Sequence, residues 1–269
     1  MDLGLKDKVI IVTGGASGIG EGISRFLSQE CAIPVIAGRK SESSDKMMRD
    51  FENNGKEAHF IFTELSPADN CKKVIDETLA EYGKIDGLIN NAGANDKVGL
   101  LEGSPYDFLT SVKENLLHYY SLVHYALNAL KESKGSIVNI SSKVAVTGQG
   151  GSSGYVAAKG AQLALTREWA VELLPYDIRV NAILPAEVMT PLYTKWLDKF
   201  PNPQTKLQSI VKNIPLGQRL TTPDEIASMA AFLISKQASH ITGQFMFVDG
   251  GYVHLDRSLT GIVNQHPKN

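Results

Sequence analysis

Seven short apolar runs are spaced along the chain, and most of them are continuous rather than alternating. Continuous runs of this kind are typical of strands in a sheet that is covered on both faces. The predicted strands are Val9–Val12, Ile33–Ala37, His59–Phe62, Ile85–Ile89, Ser136–Ile140, Ile178–Leu184 and Gln244–Val248.

Longer stretches with helical periodicity lie between these runs, near residues 20–28, 44–53, 67–82, 105–131, 155–174 and 223–234. The alternation of strands and helices predicts an α/β fold, with one doubly wound parallel sheet of about seven strands and helices on both faces. The segment 187–215 contains four prolines and fits the alternation of strands and helices worst, so we expect it to be irregular.

Composition narrows the class of protein further. A chain of 269 residues with 43% hydrophobic positions suits a single domain over residues 1–269. The net charge of -2 gives no sign of a nucleic-acid or membrane partner. Cys31 and Cys71 lack the spacing of a metal site or a disulfide framework, so we expect free thiols and a cytoplasmic protein. Residues 259–269 are predicted to be disordered.

A glycine-rich turn follows the first strand and opens the first helix. Gly14, Gly18 and Gly20 allow a sharp turn and a close approach of the backbone to a pyrophosphate. The helix N-terminus then supplies free N–H groups and a positive dipole end. This context favours dinucleotide binding over a plain tight turn, and it places Ser17 and Ile19 in the same loop.

Arg39 lies at the end of the second predicted strand, 19 residues after Gly20. An acidic residue near this place would bind the ribose 2′-hydroxyl of NAD, whereas a cation would pair with a 2′-phosphate. The sequence therefore favours NADP over NAD and leaves NAD possible.

Tyr155 and Lys159 are four residues apart at the start of a helical pattern, so their side chains share one face. A phenol titrates near 10, too high for a good base at neutral pH. An ammonium about 4 Å away would lower that pKa by up to roughly three units. The pair is therefore a candidate acid/base, with Tyr155 as the group that exchanges the proton.

Two further polar residues belong to this constellation. Ser142 follows a predicted strand, and ligands of doubly wound sheets bind at the carboxyl ends of the strands. Asn115 lies inside a long helical pattern, where asparagine is unfavourable without a purpose. Both are candidate catalytic residues.

The loop Thr13–Gly20, the turn Asn90–Gly93 and the four candidate catalytic residues match a known pattern in order and spacing. In these motifs the chain resembles the classical short-chain dehydrogenase/reductase family from about Leu5 to about Gly251. The resemblance implies a single Rossmann-type domain, with a cofactor half over about 1–135 and a catalytic and substrate half over about 136–258.

Roles for individual residues follow from the resemblance alone. It implies that Lys159 holds the nicotinamide ribose and lowers the pKa of Tyr155, that Ser142 fixes the reacting oxygen, and that Asn115 anchors a water in a proton relay. It also implies cofactor contacts from positions that lie after the third, fourth and sixth strands: Glu64, Leu65, Asn91, Ala92, Gly93, Pro185, Val188 and Thr190. Two of these regions depart from the family, which usually has Asp at Glu64-Leu65 and Pro-Gly at Pro185-Ala186.

Four segments show a finer resemblance to bacterial L-fucose dehydrogenases of this family: 115–120, 141–150, 185–193 and 250–257. It implies oxidation of the anomeric hydroxyl of a sugar to a lactone. Recognising a sugar needs several polar groups around a small pocket. The candidates on loops at the carboxyl ends of strands are Asn95, Asp96, Lys143, Gln149 and Glu187, with Ser142 and Tyr155 beside them.

Other interpretations stay open at this point. A reductase for a ketosteroid or 3-oxoacyl substrate has the same motifs, and a non-catalytic dinucleotide sensor would keep the fold. The last helical pattern before the sixth strand is apolar on more than one face, which together with the resemblance predicts a homotetramer. His254, Asp256 and Arg257 are predicted to reach a neighbouring subunit. The remaining histidines show no spacing typical of a metal site.

Overall fold

The computed structural model describes residues 2–255. The predicted disorder of residues 259–269 and the predicted subunit contacts of Asp256 and Arg257 lie outside the described residues. Within the described part of the chain, no helix has the length and apolar character needed to cross a bilayer.

Among residues 2–255, seven parallel strands form one sheet, as the sequence predicts. Their order in space is β3-β2-β1-β4-β5-β6-β7, and every neighbouring pair runs parallel. The order reverses direction between β1 and β4, which creates the crevice where ligands of such sheets bind. The strands are β1 (Val9–Thr13), β2 (Ile33–Gly38), β3 (His59–Phe62), β4 (Gly87–Asn90), β5 (Ser136–Ile140), β6 (Arg179–Pro185) and β7 (Phe245–Val248).

Helices cover both faces of the sheet. They are α1 (Gly18–Gln29), α2 (Glu42–Asn53), α3 (Ala68–Tyr82), α4 (Pro105–Val112), α5 (His118–Ser133), α6 (Ser153–Glu172), α7 (Pro191–Leu197), α8 (Pro203–Val211) and α9 (Pro223–Ile234). One apolar cluster joins α3, α5 and α6 to the sheet and contains Cys71, Tyr119 and Trp169. A second joins α1 and α9 to the opposite face.

Helices α1 and α9 pack closely because α1 has a glycine where they meet. A Cβ placed on Gly22 would lie 2.8 Å from the Cβ of Pro223. The start of α9 is the one that the sequence predicts, because Thr222 caps it and exchanges hydrogen bonds with Glu225.

The predicted helical stretch near 105–131 is helical throughout, and a π-helical turn over Lys113–Leu117 divides it into α4 and α5. One prediction about secondary structure was wrong: the segment 187–215 is not irregular, since it forms α7 and α8. Two of its four prolines begin helices: Pro191 follows the capping side chain of Thr190, and Pro203 follows that of Asn202.

Candidate active site

Most of the predicted site residues meet in one cavity at the carboxyl edge of the sheet. The cavity has a volume of about 920 Å³, which is large for a small-molecule site. It extends from the glycine loop after β1 to the start of α6. The predicted residues that line it are Gly14, Ser17, Gly18, Ile19, Arg39, Glu64, Leu65, Asn91, Ala92, Gly93, Asn95, Asp96, Asn115, Ser142, Tyr155, Lys159, Pro185, Val188 and Thr190.

The glycine loop adopts a conformation that only glycine adopts freely at two positions. Gly14 and Gly18 have φ of 62° and 56°. Gly20 is required for space, because a Cβ there would overlap the carbonyl oxygen of Gly14. The loop therefore delivers the free N–H groups of the α1 N-terminus to the cavity, without a side chain in the way.

The turn after β4 is tied to this loop by side chains. The hydroxyl of Thr13 accepts hydrogen bonds from the backbone N–H groups of Asn91 and Ala92, at 2.8 and 3.0 Å. The amide of Asn91 donates to the carbonyl oxygen of Thr13 at 2.9 Å. Asn91 therefore fixes the distance between β1 and β4 at the crevice.

Residues that follow β2, β3 and β6 lie beside the glycine loop. Arg39 is exposed directly after β2, and Glu64 and Leu65 follow β3 at the same edge. A Cβ placed on Gly18 would lie 3.1 Å from the Cγ2 of Thr190, which follows β6. The start of α7 thus closes over the loop.

The π-helical turn positions Asn115 within the site. Its side-chain oxygen accepts from the backbone N–H of Ala94 at 2.9 Å, and its amide donates to the carbonyl oxygen of Ser111 at 3.0 Å. Turns of this type interrupt helices frequently at functional sites. Asn115 is buried, so its contacts hold the loop after β4 against α4 and α5.

Ser142, Tyr155 and Lys159 share the same part of the cavity, as the sequence predicts. The predicted direction of the pKa of Tyr155 was wrong in this structure. Burial raises the pKa of Tyr155 to about 12, and the hydrogen bond from Ser142 opposes this only in part. Burial also lowers the pKa of Lys159 to about 7, so the charge that favours a phenolate is itself weakened.

Lys159 is directed mainly at acceptors other than the phenol. Its Nζ atom donates to the carbonyl oxygen of Ile140 at 2.7 Å and to Tyr119 Oη and Gln162 Oε1, both at 3.3 Å. The same nitrogen lies 5.5 Å from the centre of the Tyr155 ring.

The candidate substrate residues fall into two groups. Asn95 and Asp96 are exposed and line the cavity. Lys143 and Glu187 form an ion pair outside its lining, and the Lys143 ammonium lies 3.9 Å from the centre of the Tyr252 ring. Gln149 is also outside the lining: its amide donates to the hydroxyl of Ser152 at 3.2 Å.

Sequence reasoning missed three residues of the site. Tyr193 lines the cavity, and burial together with the nearby Glu187 raises its pKa. Tyr119 and Gln162 contact Lys159. Gln162 was detectable, because it lies three residues after Lys159 on one helix and therefore on the same face.

His118 also lines the cavity. Its Nε2 atom lies 3.1 Å from the carbonyl oxygen of Ala92, while its buried Nδ1 has no partner among the described residues. Burial lowers the pKa of His118 to about 4, so the ring is neutral at physiological pH.

Comparison with known proteins agrees with this geometry. The model of a family described as enoyl-(acyl carrier protein) reductase matches residues 14–253. The chain belongs to the short-chain dehydrogenase/reductase family.

Two relatives within the family have different activities in their names. The 3-oxoacyl-[acyl-carrier-protein] reductase of Thermotoga maritima is 33% identical over 93% of this chain and 99% of its own. The L-fucose dehydrogenase of Bos taurus is 34% identical over 91% of this chain and 88% of its own. The finer resemblance was to bacterial L-fucose dehydrogenases, and this relative is mammalian.

Solved structures of the family superpose on almost the whole chain. The crystal structure of Cj0485 dehydrogenase is 46% identical, with a TM-score of 0.92, over 96% of this chain and 99% of that one. The aldohexose dehydrogenase of Thermoplasma acidophilum is 31% identical, with a TM-score of 0.86, over 95% of this chain and 98% of that one.

The residues present fit the dinucleotide that the family uses. The glycine loop, the open α1 N-terminus and the cavity beside them form a cradle, and a Cβ at Gly20 would distort it. We predict that Gly20→Ala weakens the binding of NAD⁺ and NADP⁺ together, by about tenfold or ~1.4 kcal/mol. Isothermal titration calorimetry measures this.

Gly148→Ala is the matched control, because nothing lies within 4 Å of a Cβ at Gly148. It should bind both dinucleotides as the unaltered protein does. Equal affinity of all three proteins would contradict the assignment of the cradle.

Proposed function

We propose that the protein is an NAD(P)-dependent dehydrogenase that oxidises the anomeric hydroxyl of a sugar, with L-fucose as the preferred substrate, to the lactone. The observation that supports it most is the placement of Ser142, Tyr155 and Lys159 together in the cavity that begins at the glycine loop. The sugar specificity rests on the finer sequence resemblance and on the relatives named for L-fucose and aldohexose oxidation.

Tyr155 is the group that exchanges the proton in this proposal. Oxidation removes a hydride from C1 of the sugar and a proton from its hydroxyl oxygen, and Tyr155 takes this proton in its phenolate form and becomes the phenol. Ser142 donates a hydrogen bond that stabilises negative charge at this position, because it lowers the pKa of Tyr155. A bound nicotinamide supplies the hydride acceptor.

In this proposal, polar side chains in and beside the cavity form hydrogen bonds with the substrate. Asn95 and Asp96 offer exposed acceptors and donors at one wall. Tyr193 also lines the cavity and lies next to Glu187, which is paired with Lys143. Hydrogen bonds to several hydroxyls would discriminate against analogues that lack them.

Arg39 supports NADP as the preferred dinucleotide, with NAD as a second acceptor. It is exposed at the end of β2 and lines the cavity, where it would pair with a 2′-phosphate.

The alternative is a 3-oxoacyl or ketosteroid reductase. The observation that favours it is the Thermotoga maritima relative, which is as similar to the chain as the L-fucose dehydrogenases are. The same four candidate catalytic residues would then deliver a proton to the ketone oxygen.

A substrate panel separates these two functions. We expect NADP⁺ reduction with L-fucose, and with D-arabinose or L-galactose at lower kcat/KM, and no NADPH oxidation with ketones or acyl thioesters. Arg39→Ala should lower kcat/KM for NADP⁺ by about tenfold, the effect of one charged contact at the surface, and leave NAD⁺ unchanged. Turnover of ketones alone would contradict the sugar assignment.

Removing one hydroxyl tests the acid/base role. Tyr155→Phe should lower kcat by about 10²- to 10⁴-fold, since it removes the proton acceptor but keeps the ring. Dinucleotide affinity, measured by calorimetry, should be unchanged. A kcat close to that of the unaltered enzyme would contradict the assignment of Tyr155.

We also propose a homotetramer. Large apolar side chains are exposed around α4 and at the end of α6, among them Leu101, Tyr106, Leu109 and Val171. We expect sedimentation velocity to give a species of four chains of 29.2 kDa. A monomer at micromolar concentration would contradict this proposal.

A further inference from the structure

The ammonium group of Lys159 is held by three acceptors from three elements. They are the carbonyl oxygen of Ile140 on β5 at 2.7 Å, the hydroxyl of Tyr119 on α5 at 3.3 Å and the side-chain oxygen of Gln162 on α6 at 3.3 Å. A lysine ammonium has three N–H donors, so the number of acceptors matches the charged form. Burial without such acceptors would favour the neutral amine.

Gln162 connects this cradle to Asn115. Its amide donates to the backbone oxygen of Asn115 at 2.9 Å, while its side-chain oxygen accepts from Lys159. The family resemblance assigns the link between Asn115 and Lys159 to a water. In this chain a fully buried side chain makes that link.

Neither new partner of Lys159 exchanges protons near neutral pH. The carboxamide of Gln162 does not titrate, and burial raises the pKa of Tyr119 well above 10. Tyr119 also donates its own proton to the carbonyl oxygen of Ile140 at 3.0 Å. The two side chains therefore stabilise the charge on Lys159 and cannot carry it away.

We propose that Gln162 and Tyr119 are positioning residues that stabilise the ammonium form of Lys159 against its burial, so that in a larger share of the enzyme the proton lost before oxidation comes from Tyr155 and not from Lys159. The proposal rests on the proposed acid/base function of Tyr155 and Lys159. Gln162 and Tyr119 act through Lys159 and contact neither substrate nor dinucleotide in this account.

The titratable groups that face Lys159 are few. Tyr155 lies on its own helix, and Tyr119 and His118 lie on α5. β5 contributes the carbonyl oxygen of Ile140, and the loop after β4 contributes Gly93, which carries no charge. His118 is neutral above pH 4 to 5, since burial lowers its pKa to about 4.

The proposal predicts an unusual pH dependence, because Tyr155 and Lys159 titrate as a pair. When the pair loses one proton, the loss from Tyr155 gives the active form and the loss from Lys159 gives an inactive one. Removing an acceptor of the ammonium lowers the pKa of Lys159 and therefore populates the inactive form. At low pH the rate depends only on the loss of the proton from Tyr155, so the low-pH rate of such a variant equals that of the unaltered enzyme.

Gln162→Met tests this, because Met has a similar length and lacks the strong acceptor. The midpoint of the kcat profile should move about one unit to lower pH, and the plateau at high pH should fall by about tenfold, as expected for one hydrogen bond to a charge. The acid limb should superimpose on that of the unaltered enzyme. Tyr119→Phe, which keeps the ring, should change the profile in the same direction.

The kinetic isotope effect with a sugar deuterated at C1 establishes that hydride transfer limits kcat.

Thr166→Val is the matched control. It removes a buried hydroxyl one turn further along α6, which contacts Asn139 and the backbone of Gln162 at 2.9 and 2.7 Å and does not contact Lys159. The control should keep the midpoint of the unaltered enzyme. A parallel fall in rate at every pH in Gln162→Met and Tyr119→Phe would overturn the proposal, since a purely structural defect gives that result.

A measurement without substrate separates this proposal from the proposed function. The ¹⁵Nζ resonance of Lys159, assigned with Lys159→Met, gives its pKa in the protein without dinucleotide. The pKa should fall by about one unit in Gln162→Met and in Tyr119→Phe, and an unchanged pKa would overturn the proposal. If the unaltered protein oxidises no sugar, the proposed function fails while this titration still decides whether Gln162 and Tyr119 hold the proton.

Discussion

The constraint on which the site depends is the burial of one ammonium group. Lys159 is 3% exposed, and removing a charge from water costs several kcal/mol unless hydrogen bonds replace the solvent. The acceptors come from β5, α5 and α6, so all three elements must be in register for the charge to be tolerated. The fold and the chemistry are coupled at this residue, because a shift of any of the three elements would remove one of the acceptors of the Lys159 ammonium.

The sheet explains why these elements meet. Parallel strands end at one edge of the sheet. There Thr13 at the end of β1 accepts hydrogen bonds from the turn after β4, and Asn115 accepts one from the backbone N–H of Ala94. The π-helical turn between α4 and α5 sets the positions of Asn115, His118 and Tyr119. A dinucleotide cradle at one end of the cavity and a proton-exchanging pair at the other follow from the same arrangement of backbone.

The strands and most helices were predictable, because continuous apolar runs specify buried parallel strands with little ambiguity. A π-helical turn keeps helical periodicity and is invisible in a hydrophobic pattern, so 105–131 was predicted as helical without the turn inside it. The error at 187–215 has a physical cause: its prolines suggested an irregular segment, although Thr190 and Asn202 cap helices that begin at two of them. Motif spacing located the candidate catalytic residues but gave the wrong direction for the pKa of Tyr155, because burial raises that pKa and is a property of the folded chain that spacing does not show. Tyr119 escaped notice since a buried tyrosine is usually a packing residue.

In the protein without dinucleotide, burial dominates the pKa of Tyr155. Titration of ¹³Cζ-labelled tyrosine by NMR, with Tyr155 assigned by substitution, measures this directly. We expect Tyr155 to remain a phenol up to pH 10 and to titrate at about 12. A midpoint near neutral pH in that protein would contradict this expectation.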